Sequence, residues 1–205
     1  MAGEVGHVVY AQRVLKYLDM EVAGQAFWTG TLLPDIRHYG IVSGKQTHPE
    51  HVALQTLAGD NDFETGMRVH AWVDAVRNAF FEGENIKEEL PWHPFVPHAL
   101  KLLEDEILYD SFAHWKMVTD VLSTVHEEEL NFVADRELLE KWHVELTKYL
   151  RRKPDDVSRF ELSVAIGLSE NSAQELNSVV KRLADHGEAS FLVERFLRHL
   201  ELLLR

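Results

Sequence analysis

The sequence predicts an all-α protein, on three observations. Apolar residues recur at three- and four-residue steps along nearly the whole chain. No segment alternates apolar and polar residues as a half-buried strand would. Two of the later periodic segments open on helix-start residues, Pro154-Asp155-Asp156 and Ser169-Glu170-Asn171.

Taken in order, Val8, Ala11, Leu15 and Leu18 mark a first helix. Gly30 to Val52 then reads as a loop, rich in proline, glycine and histidine, with one helix start where Pro49 follows His48. Val52, Leu54 and Leu57 mark a further helical segment. Asn61 to Glu82 reads as a long helix, capped by Asn61 or Asp62, stopped near Gly83, and turning Phe63, Met67, Val69, Val73, Val76 and Phe80 inward. Pro91, Pro94 and Pro97 forbid continuous helix through the next stretch. Helices are expected again at about 98–123, 136–151, 154–166, 169–186 and 187–204. The last should dock through Phe191, Phe196, Leu200 and Leu203, and Trp72, Trp92, Trp115 and Trp142 read as core or interface aromatics.

At 205 residues, 45% hydrophobic and 27% charged, the chain suits one domain, 1–205. Within it, 1–84 carries the candidate site, 85–97 is a proline-rich linker, and 98–205 is a helical half without an assignable motif. A formal charge of -13 argues against phosphate backbones and anionic lipid surfaces as partners. No cysteine is present, so any transition ion must be held by imidazole and carboxylate. The first residues lack the basic flank and unbroken apolar run of a leader, and no window approaches a membrane span, so a cytoplasmic location is expected.

The chemistry concentrates in the first 74 residues. His70-Ala-Trp-Val-Asp74 puts an imidazole and a carboxylate on one helical face. Upstream lie His7, Asp35 after Pro34, and His48 before Pro49. Asp35, His48, His70 and Asp74 together form the nitrogen and oxygen donor set that a borderline divalent ion prefers. His38, close to Asp35, is a further ligand, substrate-contact or supporting candidate.

The order GHVVYAQRVL, then LLPDIRHYG, then QTHPEH, then RVHAWVDAV resembles the zinc-dependent phospholipase C family, whose relatives include the S1/P1 nucleases. The resemblance covers about residues 3 to 80. It implies an all-α multi-helix bundle of the phospholipase C and P1 nuclease type. It also implies one ion on Asp35, His48, His70 and Asp74, with Asp74 bridging to a second ion that His7 binds. Zn2+ is the implied metal, with one or two ions, and Fe, Mn or Ni are alternatives. The substrate would be a small phosphoester or phospholipid-headgroup-like molecule, with Asp35 orienting or deprotonating water. The family's third ion uses a later histidine and an HxxxE or HxxxD pair, and no such pair follows Asp74 here. The nearest replacement is Glu106, Asp110 and His114, at successive four-residue steps.

Two other function classes stay open from the residues alone. One is a noncatalytic binding or structural protein stapled by the same ion. The other is a ferritin-like di-iron bundle, motivated by Glu4-x-x-His7 and Glu140-x-x-His143. Homo-oligomerisation is open in each.

Overall fold

The computed structural model describes residues 2–20, 24–40, 42–48, 52–84, 90 and 93–205. Pro49, His51, Pro91 and Trp92 lie outside the described residues, so the expectations resting on them do too. Among the described residues eleven α-helices follow one another, with no strand: α1 (Glu4–Tyr17), α2 (Gln25–Leu32), α3 (Gly44–Thr47), α4 (Asp62–Gly83), α5 (Val96–Leu108), α6 (Trp115–Val121), α7 (Glu127–Phe132), α8 (Arg136–Leu150), α9 (Asp156–Ala165), α10 (Glu170–Ala184) and α11 (Gly187–Leu203). None is long and apolar enough to cross a membrane.

Helix α1 is the axis of the fold. Every residue from Glu4 to Ala11 is buried, and α2, α4, α5 and α8 all pack against it. A helix covered on every side needs apolar residues all round, which Val5, Val8, Val9 and Ala11 supply. Its polar residues are met from neighbouring helices. Tyr10 donates to Glu104 of α5, whose second oxygen accepts from Arg77 of α4 at 2.7 Å. Asp105 of α5 accepts from the Gly6 amide at 2.8 Å and from the Tyr149 hydroxyl of α8 at 3.0 Å. Four helices are thus tied by buried hydrogen bonds that each side chain needs to offset its burial.

Helices α2 and α4 meet at van der Waals distance through glycines. A Cβ on Gly30 would lie 2.1 Å from the Phe63 carbonyl oxygen, and one on Gly66 would lie 2.2 Å from that of Phe27. Only hydrogen fits at either position. This approach sets the end of α2, and therefore the turn that follows it, against the middle of α4.

The long helix starts and ends as expected, with Asn61 accepting from the Glu64 amide at 2.9 Å. Asp155 and Ser169 also cap their helices, so Pro154 precedes the cap of α9 and is not part of its first turn. The structure departs from the sequence reading elsewhere too, and α7 at Glu127–Phe132 falls where no helix is expected. The described residues between Gly30 and Val52 are largely regular: the end of α2, a 3-10 helix at Leu33–Tyr39, and α3. Around Val52, Leu54 and Leu57 there is only a single 3-10 turn, Leu54–Thr56. The 98–123 segment breaks into α5, a 3-10 turn at Tyr109–Ser111 and α6, because Phe112 takes up extended backbone. On α11, Phe196 and Leu200 dock, whereas Phe191 is 47% and Leu203 is 40% exposed.

Candidate metal centre

Four segments converge beneath α3. His7 comes from α1, Asp35 from the 3-10 helix after α2, His48 from the C-terminal cap of α3, and His70 with Asp74 from one face of α4. His7, Asp35, His70 and Asp74 are all buried, and His48 is half-buried. The 3-10 helix begins with Pro34 in its first turn, which fixes the backbone angle one residue before Asp35.

The distances are those of a cluster. His7 Nε2 lies 3.4 Å from Asp74 Oδ1 and 3.8 Å from Asp35 Oδ2. Asp74 Oδ2 is 3.3 Å from His48 Nε2 and 3.8 Å from His70 Nε2. Ligand atoms of His7, His70 and Asp74 lie within 4.8 Å of one another, as do those of Asp35, His48 and His70, so two overlapping triads share His70. The His7 and His70 rings stack, with centroids 3.6 Å apart.

Orientation follows from the hydrogen bonds. His70 Nδ1 is 2.8 Å from the Thr31 carbonyl, which can only accept, so the proton is on Nδ1 and the Nε2 lone pair faces the cluster. Thr31 is there because the two glycines bring α2 onto α4. His48 Nε2 sits 3.1 Å from His70 Nε2, and its Nδ1 has Thr47 Oγ1 at 2.9 Å and Arg37 Nη1 at 3.3 Å. Arg37 also donates to Asp35 Oδ1 at 3.1 Å, and the Ala2 amide donates to Asp74 Oδ1 at 2.7 Å. Both ring nitrogens of His7 are buried without a hydrogen-bond partner among the described residues.

Protonation states follow from the surroundings. Burial pushes the His7 and His70 imidazoles below their usual range, and for His7 the repulsion that two protonated rings would feel adds to this. Burial pushes the two aspartates the other way. The His70 and His7 imidazoles at Asp35, and the His48 hydrogen bond with the same imidazoles at Asp74, outweigh it and hold both carboxyls below the carboxylate range. Neutral imidazoles and ionised carboxylates are the forms that bind a divalent cation. An imidazole with two unused buried nitrogens between two carboxylates fits such an ion, and a water-free hydrophobic contact would not call for it.

His38 stands at the edge, exposed, with Nε2 3.6 Å from Asp35 Oδ1. Asp110 and His114 are not part of the centre. The helix ends at Leu108, so the four-residue stripe through Glu106 never forms one face; Glu106 pairs with Arg159 at 2.5 Å, Asp110 with Lys153 at 2.6 Å, and His114 is exposed ahead of α6. The second Glu-x-x-His pair also fails as an inward site, since Glu140 is exposed and His143 is held by Glu129.

A cleft of about 80 Å³ opens beside the cluster, and Asp35 and His38 form part of its wall. Lys101 and His98 of α5 lie across from them, and Leu162 and Leu176 of α9 and α10 supply an apolar side. Glu4 also lines it, with Oε2 buried and without a hydrogen-bond partner; burial, reinforced by Asp35 and Asp105, raises its carboxyl well above the usual range. Lys101, His98 and the role of Glu4 in this wall carry no local signal, because they meet Asp35 only when α5 docks on α1. Comparison with protein-family models, with curated proteins and with solved structures finds no match to this chain.

Proposed function

We propose that the protein is a metal-dependent phosphoester hydrolase, with His7, Asp35, His48, His70 and Asp74 holding one or two zinc-like ions. The observation that carries this reading is that Asp35 belongs at once to the His/Asp cluster and to the wall of the adjoining cleft. A ligand position facing a binding cleft is what separates a catalytic ion from a closed structural one.

A divalent ion held there supplies Lewis acidity towards a phosphoryl oxygen and lowers the pKa of water at the site. The side chains around it divide the remaining work. Lys101 and the imidazoles of His38 and His98 face the cleft and bind the anionic oxygens of the phosphoester. Asp35, kept ionised, orients the attacking water and accepts its proton on the carboxylate. Glu4, kept protonated, carries the proton that the departing alkoxide oxygen needs. Leu162 and Leu176 hold the organic group of the ester and limit water. The ion set and the handling of water by Asp35 are what the resemblance to the zinc-dependent phospholipase C family implies; the parts given to Lys101, His38, His98 and Glu4 rest on the lining of the cleft.

The test is elemental analysis of the purified chain together with hydrolysis of bis-p-nitrophenyl phosphate and p-nitrophenyl phosphate. Metal bound at about one or two ions per chain, with turnover that a chelator abolishes and added Zn2+ restores, is expected. Stoichiometric metal without turnover of either ester would replace this reading by that of an ion acting as a structural staple, and absence of bound metal would remove both.

A further inference from the structure

We infer that a second cleft, between α8 and the turn joining α6 to α7, is a binding site for a small phosphoryl anion bearing an apolar group. It shares no residue with the metal cluster, and it does not depend on the function proposed above.

The cleft encloses about 550 Å³. One wall is a single face of α8, where His143, Thr147 and Arg151 stand at four-residue steps with Lys148 beside them. The other wall is Leu122, Ser123, Thr124 and Val125. In a chain of formal charge -13 this face gathers cations, and Arg151 takes part in no ion pair among the described residues. Lys148 is paired with Glu145 at 2.8 Å, but it is an exposed pair whose ammonium has hydrogens to spare.

The centre of the cleft is a built feature. His143 is 3% exposed, and its Nε2 is 2.7 Å from Glu129 Oε1, itself 1% exposed. A carboxylate accepts, so the ring donates through Nε2. Glu129 is fixed in turn, because its other oxygen accepts from the His126 amide at 2.9 Å. Nδ1 of His143 is buried and has no hydrogen-bond partner among the described residues. A buried histidine that lines a cleft, clamped by a carboxylate on one nitrogen and with the other unused, calls for a further hydrogen-bond partner.

A monoprotonated phosphoryl group meets all of these demands. Its P–OH donates to His143 Nδ1, its anionic oxygens accept from Arg151 and Lys148, and the Thr147 hydroxyl completes the set. The apolar substituent lies against Leu122, Val125 and Val144. Glu140, one turn before His143 on the same face, repels the anion and directs it towards Arg151. Arg136, at the far end of the cleft, is about 22 Å from Arg151 along the helix and lies outside reach of a small ligand.

Phenylphosphonate, which cannot be hydrolysed as an ester, is the probe. Titrated into the full chain labelled with 15N-histidine, it should shift the His143 ring resonances saturably, with half-saturation near or below about 1 mM. Arg151→Ala, an exposed change that leaves the Glu129–His143 pair in place, should raise that concentration about tenfold. Arg136→Ala should change it by less than about twofold. Inorganic phosphate should bind more weakly than phenylphosphonate, since it lacks the apolar group. No His143 shift up to about 20 mM phenylphosphonate, or an unchanged titration in Arg151→Ala, would overturn the site. Equal affinity for inorganic phosphate would overturn the apolar part of its specificity.

Discussion

His70 does two jobs with its two nitrogens: Nδ1–H is spent on the Thr31 carbonyl, and that hydrogen bond aims the Nε2 lone pair at the cluster. Because His70 belongs to both triads, replacing it weakens every ion the centre can hold. His70→Ala is expected to lower metal affinity by more than about 100-fold, measured by competition with a fluorescent chelator; an affinity within threefold of the parent would show that His70 is not a ligand. Asp105 offers a test away from the cluster. Burial raises its carboxyl to about 7, although the Gly6 amide and the Tyr149 hydroxyl pull it down. In the unfolded chain the same group titrates near about 4. Between those two values the folded state holds the extra proton, so this group's contribution to stability falls as pH rises from about 4 through 7. Asp105→Asn keeps an oxygen for the Gly6 amide and removes the buried charge. The variant should therefore gain in melting temperature over the parent as pH is raised from 5 to 8, and a difference that stays flat across that range would refute the shift.

At the scale of elements, the centre depends on how closely α2 approaches α4. Gly66→Ala would drive a methyl group into the Phe27 carbonyl, a rigid backbone atom, so the helices must separate. A loss of about 2–4 kcal/mol by denaturant titration is expected, together with weakened metal binding, since Thr31 and Asp35 move with α2. A Gly66→Ala protein as stable as the parent would mean that the helices have room. The sequence showed the amphipathic helices: α4 behind Asn61 and α10 behind Ser169 were visible with their caps, and α9 was visible with Pro154 and Asp155 read into its first turn instead of ahead of it. It concealed α2, whose residues from Phe27 to Leu32 are buried all round and so leave no polar face to set a period. It also concealed the end of α5, since neither Gly nor Pro marks Leu108, and a four-residue charge pattern carried on across a helix end that packing decides. His7, Asp35, His48, His70 and Asp74 were legible as donor types at turns and on one helical face. Lys101 and Glu4 were not legible as cleft residues, because only tertiary packing sets them opposite Asp35.

For the whole molecule, the cluster joins segments that local bonding alone does not hold together. Its ligands come from the central helix, the 3-10 helix, the cap of α3 and the middle of α4, and α3 itself is only Gly44–Thr47. An isolated helix of that length has no stability of its own. An ion that binds the folded chain and not the unfolded one stabilises it by RT ln(1 + [L]/Kd), about 4 kcal/mol when the free ion stands a thousandfold above Kd. For a domain of this size each kcal/mol moves the melting temperature by roughly 2–4 °C. Removing the ion with a chelator, and then the chelator by dialysis, should lower the melting temperature by about 8–16 °C, with full recovery on adding one or two equivalents of Zn2+. Hydrogen exchange should show where the loss falls. Amides of α3 and of the Leu33–Tyr39 turn should lose protection first, while α8, α9 and α10, which contribute no ligand, should keep theirs. An unchanged melting temperature after verified removal of metal would mean that the apolar core and the Tyr10–Glu104–Arg77 bonds hold these segments without an ion, and the five side chains would then need another reason to meet.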